Sequence, residues 1–456
     1  MGEREFDVVV LGAGPAGEVC AGRAADAGLS VALVEQQLVG GECSFWACMP
    51  SKALLRPQEL LAEVARVPGV AEMIKGELNP DRVLRRRDEV IHDLDDSAQL
   101  PWLESRGIEL IRGRGTLTGE RAVAAGNETL RARRAVVIAT GTVAAVPPIE
   151  GLAEARPWTN REATVAAQVP GRLLVLGGGV VGVELSQAWA SLGASVTMVE
   201  AADRILALEE PFVSEQVAEG LERSGVEIRT GAKATAASRG DGGQVTLELS
   251  GGEQLRGDEL LVAVGRRPRT EDIGLETAGV EPGGYIEVDD QLRVKGSDWL
   301  YAIGDVNGRA LLTHMGKYQA WIAVDTILGK DSAATAESAG PPRVIFTDPE
   351  VAAAGLTLAK AEERGLNVRA VDVSTSGNAG ASFRGRDAAG TSRLVIDEDR
   401  GVVVGATFVG PEIAESLHAA TIAIIGEVPL GRLVHAVPSF PTRSEVWLKL
   451  LEEYGL

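Results

Sequence analysis

The same local pattern, an apolar strand followed by a glycine-rich turn and a helix, occurs twice in this chain of 456 residues. The first copy has a strand at 6–11 and a helix predicted over 18–27, and the second has a strand at 172–176 and a helix predicted to run through 192. In a G-x-G-x-x-G turn the first glycine closes the turn, the second admits a pyrophosphate, and the third lets the helix pack on the strand. The glycines at these places are Gly12, Gly14, Gly17, Gly177, Gly179 and Gly182. The repeat therefore predicts two Rossmann-like domains, each with one dinucleotide at a helix N-terminus.

An acidic residue follows the next strand in both copies. The strand at 30–34 leads to Glu35, and the strand at 195–199 leads to Glu200. A carboxylate at this place accepts hydrogen bonds from the ribose hydroxyls of the dinucleotide. Glu200 would repel a 2′-phosphate, so the second site favours NADH over NADPH, although Arg204 lies close enough in sequence to pair with such a phosphate.

Two of the three cysteines, Cys43 and Cys48, are separated by four residues and lie just beyond the first unit. At this spacing two cysteines can lie one helical turn apart on the same face and close a small disulfide ring. Lys52, one turn further on, would stabilise a thiolate or a reduced flavin. A zinc site is not predicted, because the four histidines all lie far away in the sequence. The segment is therefore interpreted as a redox-active dithiol beside a flavin, and Cys20 as a core residue.

The composition narrows the class of protein. The length suggests about three domains. A net charge of −20 and a pI near 4.8 argue against binding to nucleic acid or to an anionic membrane surface. The only basic run, at 85–87, is interpreted as a solvated helix face, and no apolar run reaches the length of a membrane span. We expect a cytoplasmic enzyme that binds neither nucleic acid nor membrane.

Three further motifs agree with this interpretation: Ala-Thr-Gly at 139–141, Val-Gly-Arg-Arg-Pro at 264–268 and Tyr-Ala-Ile-Gly-Asp at 301–305. With them, the chain resembles the pyridine nucleotide-disulfide oxidoreductases, which include dihydrolipoamide dehydrogenase, glutathione reductase and mercuric reductase, over essentially its whole length. The resemblance implies an α/β fold with two Rossmann-like dinucleotide-binding domains and a C-terminal α+β dimerisation domain. It places the FAD domain at 1–145 and 266–335, the NAD domain at 146–265 and the dimerisation domain at 336–456, and it implies a homodimer.

The resemblance also implies roles for individual residues. Cys48 would be the thiol next to the flavin, and Cys43 the thiol that exchanges with the substrate. Lys52 would lie near flavin N5 and pair with Glu184 in the helix after the second glycine turn, so that its ammonium stabilises the reduced flavin. Further cofactor-binding positions are predicted at Gly115, Thr140, Gly141, Gly265 and Asp305.

The C-terminal segment departs from the family pattern. Relatives that act on small dithiols have His-Pro-Thr-x-x-Glu there, with the histidine of the partner subunit as acid/base, whereas this chain has Phe440 in the histidine position and keeps Glu445. Phenylalanine cannot carry a proton, and loss of a positioned base costs about 10²–10⁴-fold in rate. His435 and a water held by Glu445 are the two candidate replacements. The aromatic pair at 45–46 either narrows the disulfide pocket or belongs to the core.

The sequence favours an FAD enzyme that passes electrons from NADH through the dithiol to an acceptor needing no protein histidine. A small-molecule or protein disulfide, a quinone and a metal ion remain open as acceptors. True dihydrolipoamide dehydrogenase activity is the second hypothesis, and a 2-ketopropyl-coenzyme M oxidoreductase/carboxylase-like reaction that exploits the missing histidine is another. Mercury reduction is disfavoured, because the C-terminal tail has no cysteine pair. A redox sensor or structural subunit without turnover is the non-enzymatic alternative.

Overall fold

The computed structural model describes residues 2–456, which separate into two compact units. The first unit contains the residues up to Pro50 together with Asp88–Ala145 and Arg266–Glu337. The second contains Ser51–Arg87, Val146–Gly265 and Ser338–Leu456. Each unit is assembled from separate stretches of chain, so the chain passes repeatedly between them.

The secondary structure alternates between strands and helices over most of the chain. The strands are β1 (Gly2–Leu11), β2 (Val31–Glu35), β3 (Glu109–Arg112), β4 (Gly115–Gly119), β5 (Ala122–Ala125), β6 (Glu128–Ile138), β7 (Thr142–Ala144), β8 (Arg172–Leu176), β9 (Ser195–Val199), β10 (Val226–Arg229), β11 (Ala234–Arg239), β12 (Val245–Leu249), β13 (Gln254–Gly257), β14 (Glu259–Val262), β15 (Arg266–Pro268), β16 (Leu300–Ala302), β17 (Arg343–Ile345), β18 (Glu350–Gly355), β19 (Val368–Ser374), β20 (Thr391–Asp397) and β21 (Val402–Gly410). The helices are α1 (Pro15–Asp26), α2 (Gly41–Phe45), α3 (Cys48–Ala65), α4 (Pro80–Val90), α5 (Leu100–Glu104), α6 (Asn160–Val165), α7 (Val180–Ser191), α8 (Pro211–Arg223), α9 (Thr313–Ile327), α10 (Leu358–Glu363), α11 (Ala379–Ser382), α12 (Leu417–Ile425), α13 (Leu430–Leu433) and α14 (Val446–Tyr454).

The first unit is built on a seven-stranded sheet with the order β3-β2-β1-β6-β5-β4, in which β16 also pairs with β6. Strand β1 is central and runs parallel to both β2 and β6. Its residues alternate between two cores, because successive side chains of a strand point to opposite faces. Val8 and Val10 lie in a core with residues of α1 and α9, and Val9 and Leu11 lie in another. The alternation fixes α1 over one face, with its N-terminus at the end of β1.

The first helix begins three residues earlier than the sequence predicted. Pro15 is its first residue, where a missing N–H costs nothing and the fixed φ suits a helix. The helix after the second glycine turn ends at Ser191, one residue before the predicted end. Both differences lie at helix ends and leave the strand, turn and helix in the predicted order.

The second unit contains three sheets. A four-stranded parallel sheet has the order β10-β9-β8-β14, and its core includes Trp189 of α7. The antiparallel strands β11, β12 and β13 form a second sheet. A five-stranded antiparallel sheet, with the order β17-β18-β21-β20-β19, packs against α12 and α14. Parallel strands joined through helices and a separate antiparallel sheet are the elements of a Rossmann-like domain and an α+β domain.

Residues 51–87 group with the second unit, although the sequence assigned them to the FAD domain. The three domain boundaries stay a prediction. The basic run was predicted to be a solvated helix face, and this is wrong at Arg87. Arg85 and Arg86 are exposed, whereas Arg87 is buried and its Nη2 donates a hydrogen bond to the Ala166 carbonyl oxygen at 3.0 Å. Among residues 2–456, no helix combines the length and the apolar character needed to cross a membrane.

Candidate active site

The first glycine turn forms an open cradle at the N-terminus of α1. Gly12 has φ of +101°, and a Cβ added to it would lie 2.5 Å from the Ala139 carbonyl oxygen. A Cβ on Gly17 would collide with the carbonyl oxygen of Gly12, so the helix packs on the turn only because residue 17 has no side chain. A Cβ on Gly14 would meet nothing within 4 Å. Gly12 and Gly17 thus shape the turn, and Gly14 leaves free space in front of the helix N-terminus. A pyrophosphate fits this space.

The second glycine turn repeats this geometry in the second unit. Gly177 has φ of +109°, and its added Cβ would lie 2.5 Å from the Ala263 carbonyl oxygen. A Cβ on Gly182 would collide with the backbone of Gly177, while Gly179 faces open space. The N-terminus of α7 therefore has the same free approach for a phosphate as that of α1.

The two predicted ribose-binding acids are anchored to their glycine turns. Glu35 Oε2 accepts a hydrogen bond from the Ala13 N–H at 2.7 Å, and Glu200 Oε2 accepts one from the Gly178 N–H at 2.6 Å. A carboxylate has about four acceptor positions, so each retains acceptor capacity for ribose hydroxyls. The structure thus brings each acid to the turn that the sequence paired with it.

Asp305 lies in the first unit, directly after β16 and the glycine at 304. Its Oδ2 accepts a hydrogen bond from Thr142 Oγ1 at 2.8 Å, and Arg266 Nε lies 4.0 Å from the same oxygen. Desolvation raises the pKa of Asp305, while Thr142 and Arg266 oppose the rise. The surrounding groups therefore hold this carboxylate in place at the end of the central sheet.

The remaining predicted cofactor positions have backbone or packing contacts. Thr140 Oγ1 donates to the Arg269 carbonyl oxygen at 2.8 Å, and the carbonyl oxygen of Gly141 accepts from the Arg269 N–H at 2.9 Å. Gly115 begins β4, where an added Cβ would lie 2.6 Å from Leu11 Cδ2. Gly265 is the last residue before β15. Cofactor contacts at these four positions stay a prediction.

Cys43 and Cys48 come together across a break between two helices. Cys43 lies in α2, which ends at Phe45, and Cys48 is the first residue of α3. The two cysteines do not share one helical turn, because Trp46, with φ of −135°, ends α2 between them. Their Sγ atoms nevertheless lie 2.7 Å apart as partly exposed free thiols. A disulfide requires about 2.05 Å between the sulfurs, so a small movement suffices to form it.

Several neighbouring groups act on the pKa of Cys43. The hydrogen bond to Cys48 and burial raise the pKa of Cys43, while Thr313 and Lys317 of α9 lower it. Thr313 Oγ1 also lies 3.5 Å from Cys48 Sγ. The contact between the two sulfurs therefore favours the protonated form of Cys43.

Lys52 and Glu184 form an ion pair within the second unit. Lys52 Nζ lies 2.6 Å from Glu184 Oε2, and the Phe346 N–H donates to Glu184 Oε1 at 2.9 Å. Glu184 is only 4% exposed, whereas Lys52 is partly exposed and lies 4.7 Å from the centre of the Phe346 ring. The buried carboxylate thus fixes one ammonium in a single place.

Residues beside the thiols include some that the sequence did not single out. Phe45 is 2% exposed and belongs to the core, whereas Trp46 is partly exposed, with ring centres 5.8 Å apart. Glu42, next to Cys43, lies 3.5 Å from Arg266 Nη2, and it also faces Arg269. These arginines are far away in sequence, so no local signal identified the contact.

The C-terminal segment exposes its aromatic residue. Phe440 is 76% exposed, and His435 is exposed as well. Glu445 Oε2 accepts a hydrogen bond from the Gly380 N–H at 3.3 Å, which ties it to the backbone of the second unit. The roles predicted for Phe440 and Glu445 stay predictions.

Neighbouring parts of the second unit expose other apolar side chains. The exposed fraction is 57% for Ile422, 49% for Ile425 and 83% for Val437. Among residues 2–456, no three His, Cys, Asp or Glu side chains converge to hold a metal ion.

Two dinucleotide cradles together with a thiol pair define the class of protein, an oxidoreductase that couples nucleotide cofactors to thiol chemistry. The family described as pyridine nucleotide-disulphide oxidoreductase matches residues 6–323, and its dimerisation domain matches residues 341–451. The chain belongs to the pyridine nucleotide-disulphide oxidoreductase family.

Curated relatives include dihydrolipoyl dehydrogenases that match over nearly their whole length. The protein from Zymomonas mobilis is 33% identical over 462 residues, covering 99% of this chain and 98% of the relative. The protein from Thermus scotoductus is 34% identical over 457 residues, covering 98% and 97%. Among solved structures, the HOCl-induced flavoprotein disulfide reductase RclA from Escherichia coli has a TM-score of 0.86 at 26% identity, covering 98% of this chain and 99% of that one.

These likenesses confirm the family, the fold class and the enzyme class predicted from the sequence. The fold is α/β, with two Rossmann-like domains and a C-terminal dimerisation domain. The cofactors are FAD and NAD(H). The dimerisation domain supports a homodimer.

Proposed function

We propose that this enzyme uses NADH to reduce a small-molecule or protein disulfide through the Cys43–Cys48 dithiol. The observation that carries the proposal is the 2.7 Å approach of the two Sγ atoms, which are not joined in a disulfide. A pair at this distance can release two electrons by closing a disulfide and take them up by opening it.

The residues present fit both cofactors. The open space at Gly14, with Glu35 and Asp305 near the end of the central sheet, would hold FAD, and Gly179 with Glu200 would hold NADH. When bound, FAD would accept a hydride from NADH and exchange two electrons with the dithiol.

Lys52 and Glu184 would have a positioning role in this chemistry. The family resemblance supports a position of the Lys52 ammonium near the flavin, where a fixed positive charge would favour an anionic reduced ring. Glu184 keeps that ammonium charged and in place through its 2.6 Å contact. Substitution of Glu184 would therefore affect electron transfer through Lys52.

The two cysteines would act in sequence on a disulfide acceptor. The Cys43 thiolate attacks one sulfur of the acceptor, forming a mixed disulfide and releasing the first thiolate product. The Cys48 thiolate then attacks Cys43 Sγ, which closes the internal disulfide and releases the second product. Because both electrons come from the dithiol, the acceptor gains two electrons and the protein returns to its oxidised form.

Contacts of Arg204 support NADH rather than NADPH. The guanidinium donates to Ser214 Oγ at 2.6 Å and to the Ala207 carbonyl oxygen at 2.7 Å. These bonds engage the one cation that the sequence offered for a 2′-phosphate. Glu200 adds charge repulsion against such a phosphate.

Dihydrolipoamide dehydrogenase activity is the second candidate function, favoured by relatives that are 33–34% identical over nearly the whole chain. The exposed Phe440 in the histidine position weighs against it, because it removes the proton carrier of that reaction. RclA, whose structure was also solved as a Cu(II) complex, adds a metal ion as an acceptor class to be compared.

Anaerobic NADH-driven turnover with lipoamide and with a simple quinone, measured side by side, tests the function. Cys43→Ala is compared with wild type, and Cys20→Ala serves as the matched control because Cys20 is a buried thiol outside the pair. In the wild type we expect slow turnover of lipoamide and rapid reduction of the quinone. In Cys43→Ala we expect the reduction of lipoamide to be lost and the reduction of the quinone to be kept. Fast, Cys43-dependent lipoamide turnover would instead identify a dihydrolipoamide dehydrogenase with a relocated base.

A further inference from the structure

Three helices of the first unit meet beside the dithiol. The start of α2 packs on the N-terminus of α1, since a Cβ added to Gly41 would lie 2.7 Å from Gly14 Cα. The start of α9 lies next to the thiols, since Thr313 Oγ1 is 3.5 Å from Cys48 Sγ. Helix α2, which carries Cys43, therefore contacts the start of α1, and the start of α9 contacts the thiol pair.

Helices α1 and α9 also touch each other close to this point. A Cβ on Gly316 of α9 would lie 3.2 Å from Ala16 Cβ of α1, and so would a Cβ on Gly304. Small residues on both sides allow this close approach. The first turn of α1 and the first turn of α9 thus border the same end of the unit as the thiols.

Both helix ends carry ionisable side chains that the chemistry described above does not use. Glu18 lies one turn after Gly14 in α1, and Lys317 lies one turn after Thr313 in α9, so each shares a helix face with the residue at the thiols or the turn. Within residues 2–456 the Glu18 carboxylate has no hydrogen-bond or ion-pair partner, although it is partly buried. A partly buried carboxylate without a structural partner is uncommon and is a candidate for function.

One ammonium acts on both the carboxylate and the thiol. Burial raises the pKa of Glu18 to about 7, Lys317 opposes this rise, and Glu35 adds to it. Lys317 also lowers the pKa of Cys43. The other titratable groups on the packed elements at this end are Glu42, which is held by two arginines, the exposed His314, and Cys48. Glu18 is the group among them whose pKa lies near neutrality, and Lys317 lowers its pKa as it lowers that of Cys43.

We propose that Glu18 exchanges protons with the Cys43 thiol and the departing thiolate through an intervening water, and that Lys317 is its positioning residue. The proposal rests on the disulfide reductase function proposed above. It assigns to α1 and α9 the proton transfer that Phe440 cannot perform.

The proposed sequence balances protons and electrons. The Glu18 carboxylate takes the proton of Cys43, and the Cys43 thiolate attacks the acceptor, breaking its S–S bond and releasing a thiolate. The Glu18 carboxylic acid returns the proton to that thiolate. Cys48 then displaces the second thiolate from Cys43, which takes its proton from solvent. The dithiol is oxidised to the disulfide, and the acceptor is reduced to two thiols.

The test compares two acceptors whose products differ in their need for a proton. The thiolate from 5,5′-dithiobis(2-nitrobenzoate) is stable without a proton, whereas the alkyl thiolate from bis(2-hydroxyethyl) disulfide is not. In the FAD-loaded enzyme with saturating NADH, we expect Glu18→Gln to slow the alkyl disulfide about 10²-fold and the aromatic disulfide at least tenfold less than that. The control is Glu104→Gln, because Glu104 is an exposed acid of the same unit and its carboxylate has no partner within residues 2–456. Quinone reduction should stay at the wild-type rate in both variants.

The pH profile provides the second measurement. Alkyl disulfide reduction by the wild type should rise as pH passes through about 7, because the ionised carboxyl is the base and burial raises the pKa of Glu18 to about 7. Glu18→Gln should lose this inflection. Lys317→Met should move it to higher pH, because that ammonium lowers the pKa of Glu18.

Equal slowing of both disulfides by Glu18→Gln, or no slowing of either, would overturn the proposal. An unchanged inflection in Lys317→Met would overturn the role of Lys317. If the wild type reduces quinone but neither disulfide, the proposed function itself fails, and this outcome is distinct from a failure confined to Glu18.

Discussion

The dithiol region of the first unit and the segment 438–445 of the second unit differ in what they retain of the chemistry expected for this family. The dithiol region retains two thiols within 2.7 Å of each other and a hydroxyl beside one of them. The C-terminal segment keeps the orienting acid Glu445 on the backbone of Gly380 but presents an exposed phenylalanine where a proton carrier is expected. Under the proposed function, electron transfer and proton transfer are therefore separable in this chain, and only proton transfer needs a new residue.

Two carboxyl groups with similar pKa values sharpen this contrast. Burial raises the pKa to about 7 both for Glu18 in the first unit and for Glu350 in the second. Glu350 is 8% exposed, and its Oε2 accepts a hydrogen bond from the Ala414 N–H at 3.1 Å, whereas Glu18 has no such partner among residues 2–456. A raised pKa alone thus does not identify a functional acid. A functional acid is identified by its position relative to the reacting atoms and by the absence of a hydrogen bond that would give it a structural role.

The largest expected effect comes from separating the two thiols. Cys48→Ser leaves Cys43 able to attack an acceptor but removes the thiol that resolves the mixed disulfide. We expect turnover to fall on the order of 10⁴-fold, as for loss of a catalytic nucleophile, while one equivalent of acceptor thiol remains attached to Cys43. Mass spectrometry after incubation with bis(2-hydroxyethyl) disulfide measures this adduct.

Cys43→Ser is the matched variant, because it removes the attacking thiol and should carry no adduct. If Cys43→Ser forms the adduct at Cys48 instead, the assignment of the two thiols is reversed.

A smaller effect is expected on stability when Glu350 is replaced by Gln. A carboxyl whose pKa is raised from 4.5 to about 7 on folding favours the folded state most below pH 4.5, and this contribution is lost as pH rises to about 7. The difference corresponds to about 3 kcal/mol, so Glu350→Gln should be more stable than wild type at pH 8 by at most this amount and similar to it at pH 4.5. Urea unfolding at fixed protein concentration and several pH values measures the difference.

Glu18→Gln should show a weaker dependence of the same sign, together with the loss of alkyl disulfide reduction. Glu350→Gln should leave that activity unchanged. Loss of activity in Glu350→Gln at full stability would break the distinction between the two acids.

The smallest expected effect is a gain. Phe440→His restores a proton carrier beside an acid that is already fixed at Gly380, and we expect lipoamide turnover to rise about tenfold, at the low end of what a positioned base supplies. Val437→His, at another exposed position of the same segment, is the control and should give no gain. An equal gain in both variants would show that any surface imidazole suffices and that position 440 has no special geometry.

The sequence predicted the parts of the site that are local. Gly12 and Gly177 each close a turn between a strand and a helix, and the spacing of the glycines alone shows this. The break at Trp46 was not predicted, because C-x4-C spacing is compatible with one helical turn as well as with two helices. Thr313 lies 265 residues from the cysteine that it contacts, and only the packing of α9 on α1 brings it there.

Glu18 carried a weak signal in the sequence that became clear only in three dimensions. It is the one acid in the first turn of a helix whose buried residues are small, among them Gly17, Cys20 and Ala21. The amphipathic pattern of the helix does not indicate a function for this acid, because an acid near a helix N-terminus is stabilising in itself. Its neighbour Lys317 is nearly three hundred residues away, so their common relation to Cys43 depends on the fold.

The central claim, that electrons from NADH reach the Cys43–Cys48 pair, is tested most directly by counting thiols. The FAD-loaded enzyme is treated anaerobically with NADH and then with iodoacetamide, and the peptide containing both cysteines is weighed. The account predicts two added carbamidomethyl groups after NADH treatment and none on the oxidised enzyme, with Cys20 unchanged. Bleaching of the flavin by NADH without any new alkylation at Cys43 or Cys48 would contradict it.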